Sequence, residues 1–233
     1  MPLKDILDAN ARFVARTPPE KLPDQPRKHL AIVTCMDFRL TGFVDRALGI
    51  ERADAFLIRN AGNTATALDN SALRSVVAAC MNFDIRELLV IGHTRCAMKI
   101  DAMTALEKMR AAGIPRDALG GHDLREWLGL ITDERENVRR VVNEMAASRL
   151  LPKRVAIHGF VIDVDTGVLS HITSWEPGAE PVKSVAPAPP TTQPPPPTAP
   201  PPRTPVPPPV RRDAAERRPP QTFKPREGER LGW

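Results

Sequence analysis

Short runs of apolar residues divide the first 175 residues of the chain into predicted strands. Each run is four to eight residues long and rich in Val, Ile, Leu and Ala, which is typical of strands buried on both faces. Four such runs lie at 29–35, 55–58, 87–91 and 155–162. A turn at 163–167, where Gly167 can adopt a positive φ, leads into a fifth strand at 168–172. The fifth strand is therefore predicted to return antiparallel to the fourth.

Apolar residues at helical spacing fill the segments between these runs. The spacing predicts helices over 3–16, 43–48, 67–83 and 100–112, and a last helix that Thr132 or Asp133 can cap and that runs to about Ser148. Alternating strands and helices predict an α/β fold: a mostly parallel four-stranded sheet with an antiparallel edge strand and helices on both faces. Pro18-Pro19 ends the first helix. The sequence alone leaves open whether that helix packs on its own domain or on another subunit.

Proline content divides the chain into a folded part and a tail. Of the 26 prolines, 18 lie between Pro177 and Pro220. We therefore predict a globular domain over 1–175, a disordered proline-rich linker over 176–220 and a candidate docking peptide over 221–233. The last segment carries Phe223 and Trp233 in a chain that is otherwise poor in aromatic residues. The alternative is a tolerated extension with no partner.

Charge and cysteine content exclude several classes of function. The net charge is +5, and the residues from Pro177 onward contribute +4 of it, from 9 Lys and Arg against 5 Asp and Glu. The core has no basic helix with interleaved aromatic residues, so no nucleic acid is expected. No apolar run is long enough for a membrane span or a signal peptide. Three cysteines make no disulfide framework, and thiolate ligands fit a reducing, cytoplasmic location.

Metal-ligating residues follow two of the predicted strands. Cys35 ends the first strand, and His93 and Cys96 follow the third. Such a Cys₂His set suits zinc and leaves a fourth position open for water or substrate. A closed structural site lacks a fourth ligand unless Asp37 supplies it. Cys80 lies on the apolar face of a predicted helix, where a free cysteine is usually a small core residue.

Asp37 and Arg39 alternate with Cys35, so all three side chains point the same way if the strand continues. A carboxylate paired with Arg stays ionised and keeps a fixed orientation. Beside zinc, Asp37 could accept a hydrogen bond from a bound hydroxide or bind the metal itself. The alternative is an ordinary Asp–Arg pair at the end of a strand.

Three motifs together resemble the beta-class carbonic anhydrases, particularly the small bacterial and archaeal members. They are Cys-x-Asp-x-Arg at 35–39, Arg-Asn-Ala-Gly at 59–62 and Gly-His-Thr-x-Cys at 92–96, and the likeness runs from about Lys28 to Ser174. The resemblance implies reversible hydration of carbon dioxide to bicarbonate and a proton by zinc-bound hydroxide. It implies zinc on Cys35, His93 and Cys96, with the Asp37–Arg39 dyad orienting or gating the site.

The same resemblance implies a substrate pocket and an assembly. The pocket would be lined by Asn60, Ala61 and Gly62 through close backbone approach. The assembly would be a homodimer or larger homo-oligomer, with the N-terminal helix reaching to a neighbouring subunit. Apart from the resemblance, the aromatic residues of 221–233 lead us to expect that this segment docks on a protein partner or inside a protein shell.

Three residues depart from the family pattern. Phe38 stands where the family commonly has a small residue, Arg95 stands where it often has Asp, and Ala97 stands where it often has Gly. These changes leave carbonyl sulfide or carbon disulfide hydrolysis at the same zinc centre as an alternative reaction. A catalytically silent scaffold, stapled by zinc and presenting proline-rich tails, is an alternative of a different class.

Overall fold

The computed structural model describes residues 2–65 and 70–178, and within them a five-stranded sheet of order β2-β1-β3-β4-β5. Its strands are β1 Leu30–Cys35, β2 Ala55–Asn60, β3 Glu87–His93, β4 Ala156–Ile162 and β5 Leu169–Trp175. The first four run parallel, and β5 pairs antiparallel with β4. The predicted α/β sheet with an antiparallel edge strand is therefore confirmed.

Six helices accompany the sheet in the described residues. They are α1 Leu3–Arg16, α2 Phe43–Ala47, α3 Ser71–Asn82, α4 Ala102–Ala111, α5 Leu124–Leu128 and α6 Glu134–Ala147. Helices α3 and α6 pack with Ala31 and Val33 on one face of the sheet. Leu30 and Ile32 point to the other face, where they pack with α2 through Val44. The alternation of side chains along β1 thus supplies both cores.

Side-chain caps explain where the helices begin. Asp133 accepts hydrogen bonds from the backbone N–H groups at positions 135 and 136, so α6 starts where the sequence predicts. Helix α3 starts later than the predicted residue 67, because Asn70 has extended backbone angles and caps Ala72 with a 2.8 Å hydrogen bond. The predicted helical positions Ala67 and Leu68 lie outside the described residues. The sequence pattern missed the five-residue helix α5.

Helix α1 contributes nothing to either core. None of its residues is buried, and Leu3, Leu7, Phe13 and Val14 are all more than half exposed. An amphipathic helix normally buries its apolar stripe against another element. No helix in the described part of the chain is both long and apolar enough to cross a membrane.

Glycine at position 159 allows α6 to lie directly on β4. A Cβ atom built on Gly159 would lie 2.7 Å from Val138 Cγ1 and 3.0 Å from Val142 Cγ2. We expect Gly159→Ala to lower the free energy of unfolding by about 1–3 kcal/mol, because the helix must shift away from the sheet. Urea denaturation measures this effect. Gly121→Ala is the control, since a Cβ there has nothing within 4 Å and should change stability little.

Candidate metal centre

Three metal-ligating side chains meet at the carboxyl ends of the neighbouring strands β1 and β3. One ligand atom from each of Cys35, His93 and Cys96 lies within 4.8 Å of the other two. The two sulfur atoms are 4.0 Å apart. All three side chains are buried, and His93 is completely inaccessible to solvent. Open parallel sheets place their sites at this edge, where the strand ends converge.

The three ligand atoms fit a tetrahedral zinc ion. Zinc–sulfur bonds of about 2.3 Å at a tetrahedral angle place two sulfur atoms about 3.8 Å apart, close to the observed 4.0 Å. His93 Nδ1 lies 2.9 Å from Thr94 O, which can only accept, so Nδ1 carries the proton and Nε2 keeps a free lone pair. Nε2 is buried and has no hydrogen-bond partner among the described residues. A bound metal would give this buried lone pair, which faces two thiols, the partner that it lacks.

The two thiols differ in their affinity for protons. The Cys96 side chain donates a hydrogen bond that, together with His93 and the backbone N–H groups of Asp37 and Gly62, lowers the pKa of Cys35 to about 4. The hydrogen bond with Cys35 and burial raise the pKa of Cys96. Burial opposes charge on His93, but the nearby Cys35 side chain, the Thr94 carbonyl and Asp37 together outweigh it and raise the His93 pKa. A divalent metal would displace the protons that the two thiols share and bind both sulfur atoms.

The third cysteine does not join this group. Cys80 lies on α3 within the core that faces α6, and burial raises its pKa. The sequence interpretation of Cys80 as a small core residue agrees with this position. Within the described residues, the ligand set therefore consists of two cysteines and one histidine.

Asp37 and Arg39 form a two-pronged ion pair beside the three ligands. Arg39 Nε donates to Asp37 Oδ1 at 2.9 Å, and Arg39 Nη2 donates to Asp37 Oδ2 at 2.7 Å. The hydrogen bonds from Arg39 lower the pKa of Asp37 to about 2. Asp37 Oδ2 also lies 3.9 Å from His93 Nε2, so the carboxylate reaches the edge of the centre.

The strand does not continue through these residues, so Asp37 and Arg39 do not alternate with Cys35 along it. β1 ends at Cys35, and residues 38–40 form a 3₁₀ turn in which Asp37 Oδ1 accepts from the Arg39 N–H at 3.0 Å. A capped turn, rather than alternation along a strand, brings the Asp37 and Arg39 side chains together.

Comparison with known proteins identifies the family. A family model described as carbonic anhydrase matches residues 30–169, which is more than half of the chain. This chain belongs to the carbonic anhydrase family. A solved beta-carbonic anhydrase isoform I of Trichomonas vaginalis superimposes with a TM-score of 0.67 and 29% identity, covering 74% of this chain and 98% of that chain. The predicted beta class is thereby confirmed, and beta-carbonic anhydrases are zinc enzymes.

Two curated relatives show the range of activities around this beta-carbonic anhydrase. The candidate carbonic anhydrase YvdA of Bacillus subtilis (strain 168) is 37% identical over 175 residues, covering 72% of this chain and 89% of that protein. A carbon disulfide hydrolase of Acidithiobacillus thiooxidans is 35% identical over 156 residues, covering 61% of this chain and 76% of that protein.

Arg59 of this beta-carbonic anhydrase holds the backbone on both sides of Met36. Its Nε donates to Cys35 O at 3.1 Å, and its Nη2 donates to Asp37 O at 2.8 Å. One guanidinium therefore fixes the main chain of both a candidate ligand and a dyad residue. The Arg-Asn-Ala-Gly motif includes this residue, but the sequence assigned it no role. Its partners are backbone carbonyls, which cannot be identified from the pattern of side chains.

We expect Arg59→Lys to loosen this part of the centre. An ammonium group cannot span two carbonyls as the planar guanidinium does, so the free energy of unfolding should fall by about 1–3 kcal/mol. Urea denaturation of the zinc-loaded protein measures the change. Arg52→Lys is the matched control, since Arg52 is exposed and contacts Glu20 at 3.7 Å. Equal stability of the Arg59→Lys and Arg52→Lys proteins would contradict the stabilisation that we assign to the two hydrogen bonds of Arg59.

The predicted pocket residues lie at the end of β2 and in the turn that follows it, where Asn60 and Ala61 are half-buried and Gly62 is buried. Residues 61–63 make a 3₁₀ turn in which Gly62 has a φ of +68°. A Cβ on Gly62 would lie 3.2 Å from Gly129 O, so glycine is required by both conformation and space. Asn60 Nδ2 donates to Thr64 O across this turn, while the buried Asn60 Oδ1 has no partner in the described residues.

The three departures from the family pattern prove to lie at the surface. Phe38 is 83% exposed, so its ring does not fill the interior of this subunit. Arg95 points to the turn between β4 and β5, where Asp165 balances its charge at 2.5 Å, and its carbonyl accepts from Arg39 Nη2 at 2.9 Å. Ala97 is exposed and crowds no backbone.

Proposed function

We propose that this chain catalyses the reversible hydration of carbon dioxide to bicarbonate and a proton, with zinc held by Cys35, His93 and Cys96. One observation carries the proposal. Two thiols and an unpartnered imidazole nitrogen lie within bonding reach of one point, beside a carboxylate that an arginine keeps ionised. With three protein ligands, such an ion keeps an open position, and it supplies a Lewis acid that lowers the pKa of water to about 7.

The residues of the chain would orient the reacting water and exclude competing solvent. Asp37 Oδ2, at the edge of the centre, presents a charged acceptor that can hold the proton of a water molecule and so direct its lone pair toward carbon dioxide. Arg39 holds this carboxylate away from the ligands through two hydrogen bonds. Asn60, Ala61 and Gly62 would line the substrate pocket with backbone, which leaves room for a small linear molecule.

Stopped-flow measurement of carbon dioxide hydration, with zinc content determined on the same sample, tests this proposal. We expect about one zinc per chain and a rate well above buffer that disappears with chelation and returns with zinc. A zinc-loaded protein with no acceleration above buffer would overturn it.

A second candidate is hydrolysis of carbon disulfide or carbonyl sulfide at the same centre. The similarity to a carbon disulfide hydrolase favours it, since that relative matches 61% of this chain. Release of H₂S from either compound, without acceleration of carbon dioxide hydration, would reverse the order of the two candidates.

The remaining alternative is a silent scaffold in which zinc only staples the fold. The retained Asp37–Arg39 pair argues against it, because a purely structural metal needs no ionised carboxylate beside it. A scaffold would keep its assembly and have no activity to lose when Asp37 is replaced.

We further propose a homodimer or larger homo-oligomer in which α1 packs on a neighbouring subunit. The support is the apolar stripe of α1, which nothing in the described part of its own chain covers. Sedimentation analysis should give a dimer or larger species, and Leu7→Asp with Val14→Asp should shift it toward the monomer. A monomeric unsubstituted protein would exclude this assembly.

We propose a cytoplasmic location with a tail that docks on a protein partner or protein shell. Thiolate ligands persist in a reducing compartment, which supports the location. The linker over 176–220 falls almost entirely, and the docking peptide over 221–233 entirely, outside the described residues, so their support is the sequence alone. Removing 221–233 should leave catalysis intact and abolish co-localisation with the partner, whereas an unchanged distribution would exclude docking.

A further inference from the structure

Asn137 links helix α6 to the turn that borders the metal centre. It is only 4% exposed, although it is an amide on a helix whose neighbouring inward positions are valines. Its Nδ2 donates to Gly62 O at 2.9 Å in a fully buried hydrogen bond that joins residues 75 positions apart. A buried amide on an apolar helix face costs stability unless its hydrogen bonds are satisfied, so its position calls for a specific partner.

The orientation of the Asn137 amide is fixed by a second contact. Arg140 Nη2 donates to Asn137 Oδ1 at 2.8 Å, while Arg140 Nη1 contacts Glu144 Oε1 at 3.1 Å. Because an arginine can only donate, Asn137 Oδ1 must face it and Nδ2 must face Gly62. The amide cannot flip without placing two donors together and two acceptors together.

Gly62 is enclosed on the side away from Asn137. A Cβ built on it would lie 3.2 Å from Gly129 O and 3.5 Å from Met98 Cγ. The turn is joined to the ligand segment by Asn60, which pairs with Cys35 in the sheet and accepts from the Met36 N–H at 2.9 Å. The N–H of Gly62 lies on the side of the Cys35 sulfur and helps to lower the pKa of that thiol, and the Gly62 carbonyl faces Asn137. Both polar groups of this one peptide segment are therefore engaged, one toward the ligand and one toward α6.

We propose that Asn137 is a positioning residue for the metal ligand Cys35, acting through Gly62. By holding the Gly62 carbonyl, Asn137 holds the turn and so keeps the Gly62 N–H directed at the sulfur. The inference rests on the proposed zinc site. Residues that orient a ligand from behind typically change metal affinity or activity by about 10–100-fold when they are replaced.

Asn137→Asp tests this role with little change of size. The carboxylate still accepts from Arg140, but it cannot donate to Gly62 O. We expect zinc affinity, measured by competition with a chromophoric chelator, to fall by about 10–100-fold. In the Co²⁺-substituted protein, the sulfur-to-cobalt charge-transfer band should move to longer wavelength, because a thiolate that loses a hydrogen bond is a stronger electron donor.

Two variants on the same helix separate positioning from stability. Asn143→Asp changes a half-buried amide that makes no side-chain hydrogen bond in the described residues, and it should leave affinity and band unchanged. Val142→Ala removes core packing and should lower the melting temperature without moving the band. Arg140→Met keeps Asn137 but removes the contact that fixes its amide, so it should lower zinc affinity and move the band to longer wavelength by smaller amounts than Asn137→Asp. This variant replaces Asn137→Asp in the test if Asn137→Asp does not fold.

The outcomes are distinct. Zinc affinity within twofold of the unsubstituted protein and an unmoved band, in Asn137→Asp or in Arg140→Met, would overturn the inference. The same loss of zinc affinity and the same band shift in Val142→Ala would also overturn it, since general destabilisation would then explain both changes. An unsubstituted protein that binds neither Zn²⁺ nor Co²⁺ would instead overturn the proposed zinc site itself.

Discussion

Cys35→Ser should leave the protein without stoichiometric zinc and reduce carbon dioxide hydration to the rate of buffer. A serine hydroxyl stays protonated at neutral pH, whereas Cys35 is the thiol whose pKa the site lowers to about 4. The remaining side chains, His93 and Cys96, offer too few ligands for tight zinc binding. Elemental analysis after dialysis, combined with stopped-flow hydration, measures both effects.

Cys80→Ala is the matched control for this variant. Cys80 is as buried as Cys35, at 4% exposure each, but it lies in the core between α3 and the sheet. Its truncation should cost about 1–2 kcal/mol of stability and leave zinc content and rate unchanged. Full zinc and full rate in Cys35→Ser would exclude the proposed ligand set, whereas loss of zinc in Cys80→Ala would show that the assay reports folding instead.

The sequence predicts the sheet well because strands that are buried on both faces consist mostly of apolar residues. β1, β3 and β4 consist mostly of apolar residues, and the strands are found within about three residues of the predicted limits. The sequence placed the cap of α6 at Thr132 or Asp133, since either side chain can accept from the first N–H groups of a helix, and the structure has Asp133 there. Local chemistry of this kind can be read from a single chain.

Contacts between distant residues could not be predicted in the same way. Arg59 reaches Cys35 O and Asp37 O across more than 20 residues, and Asn137 reaches Gly62 O across 75. In each case the acceptor is a backbone carbonyl, which is present at every position and marks none. The sequence could place Asp37 beside Arg39 only on the condition that the strand continues, because a spacing of two fits both a continuing strand and a capped turn.

Asp37→Asn should retain zinc and assembly while hydration slows by about 10²–10⁴-fold, the usual contribution of a positioned proton acceptor. An amide has the size of the carboxylate but lacks its charge, so it holds a water proton weakly. It also accepts from Arg39 at one oxygen only, which releases the two-pronged contact that now fixes the group. Stopped-flow hydration and zinc content on the same preparation give the comparison.

Asp84→Asn provides a control with the same Asp-x-Arg spacing. Arg86 contacts Asp84 at 2.6 Å and 3.0 Å, but this pair lies before β3, at the end of the sheet opposite to the centre. Its loss should leave the rate unchanged. An Asp37→Asn protein that hydrates carbon dioxide as fast as the Asp84→Asn protein would remove Asp37 from the mechanism.

The pH dependence adds an independent check on the same variant. The guanidinium of Arg39 holds the pKa of Asp37 at about 2, so the carboxylate is ionised at every pH above about 4. Protonation of Asp37 therefore cannot produce any change of rate between pH 6 and pH 9. The Asp37→Asn protein should therefore be slower than the unsubstituted protein at both ends of that range. Equal rates at pH 6, with a deficit only at pH 9, would mean that Asp37 takes up a proton near neutral pH and that Arg39 does not hold it ionised.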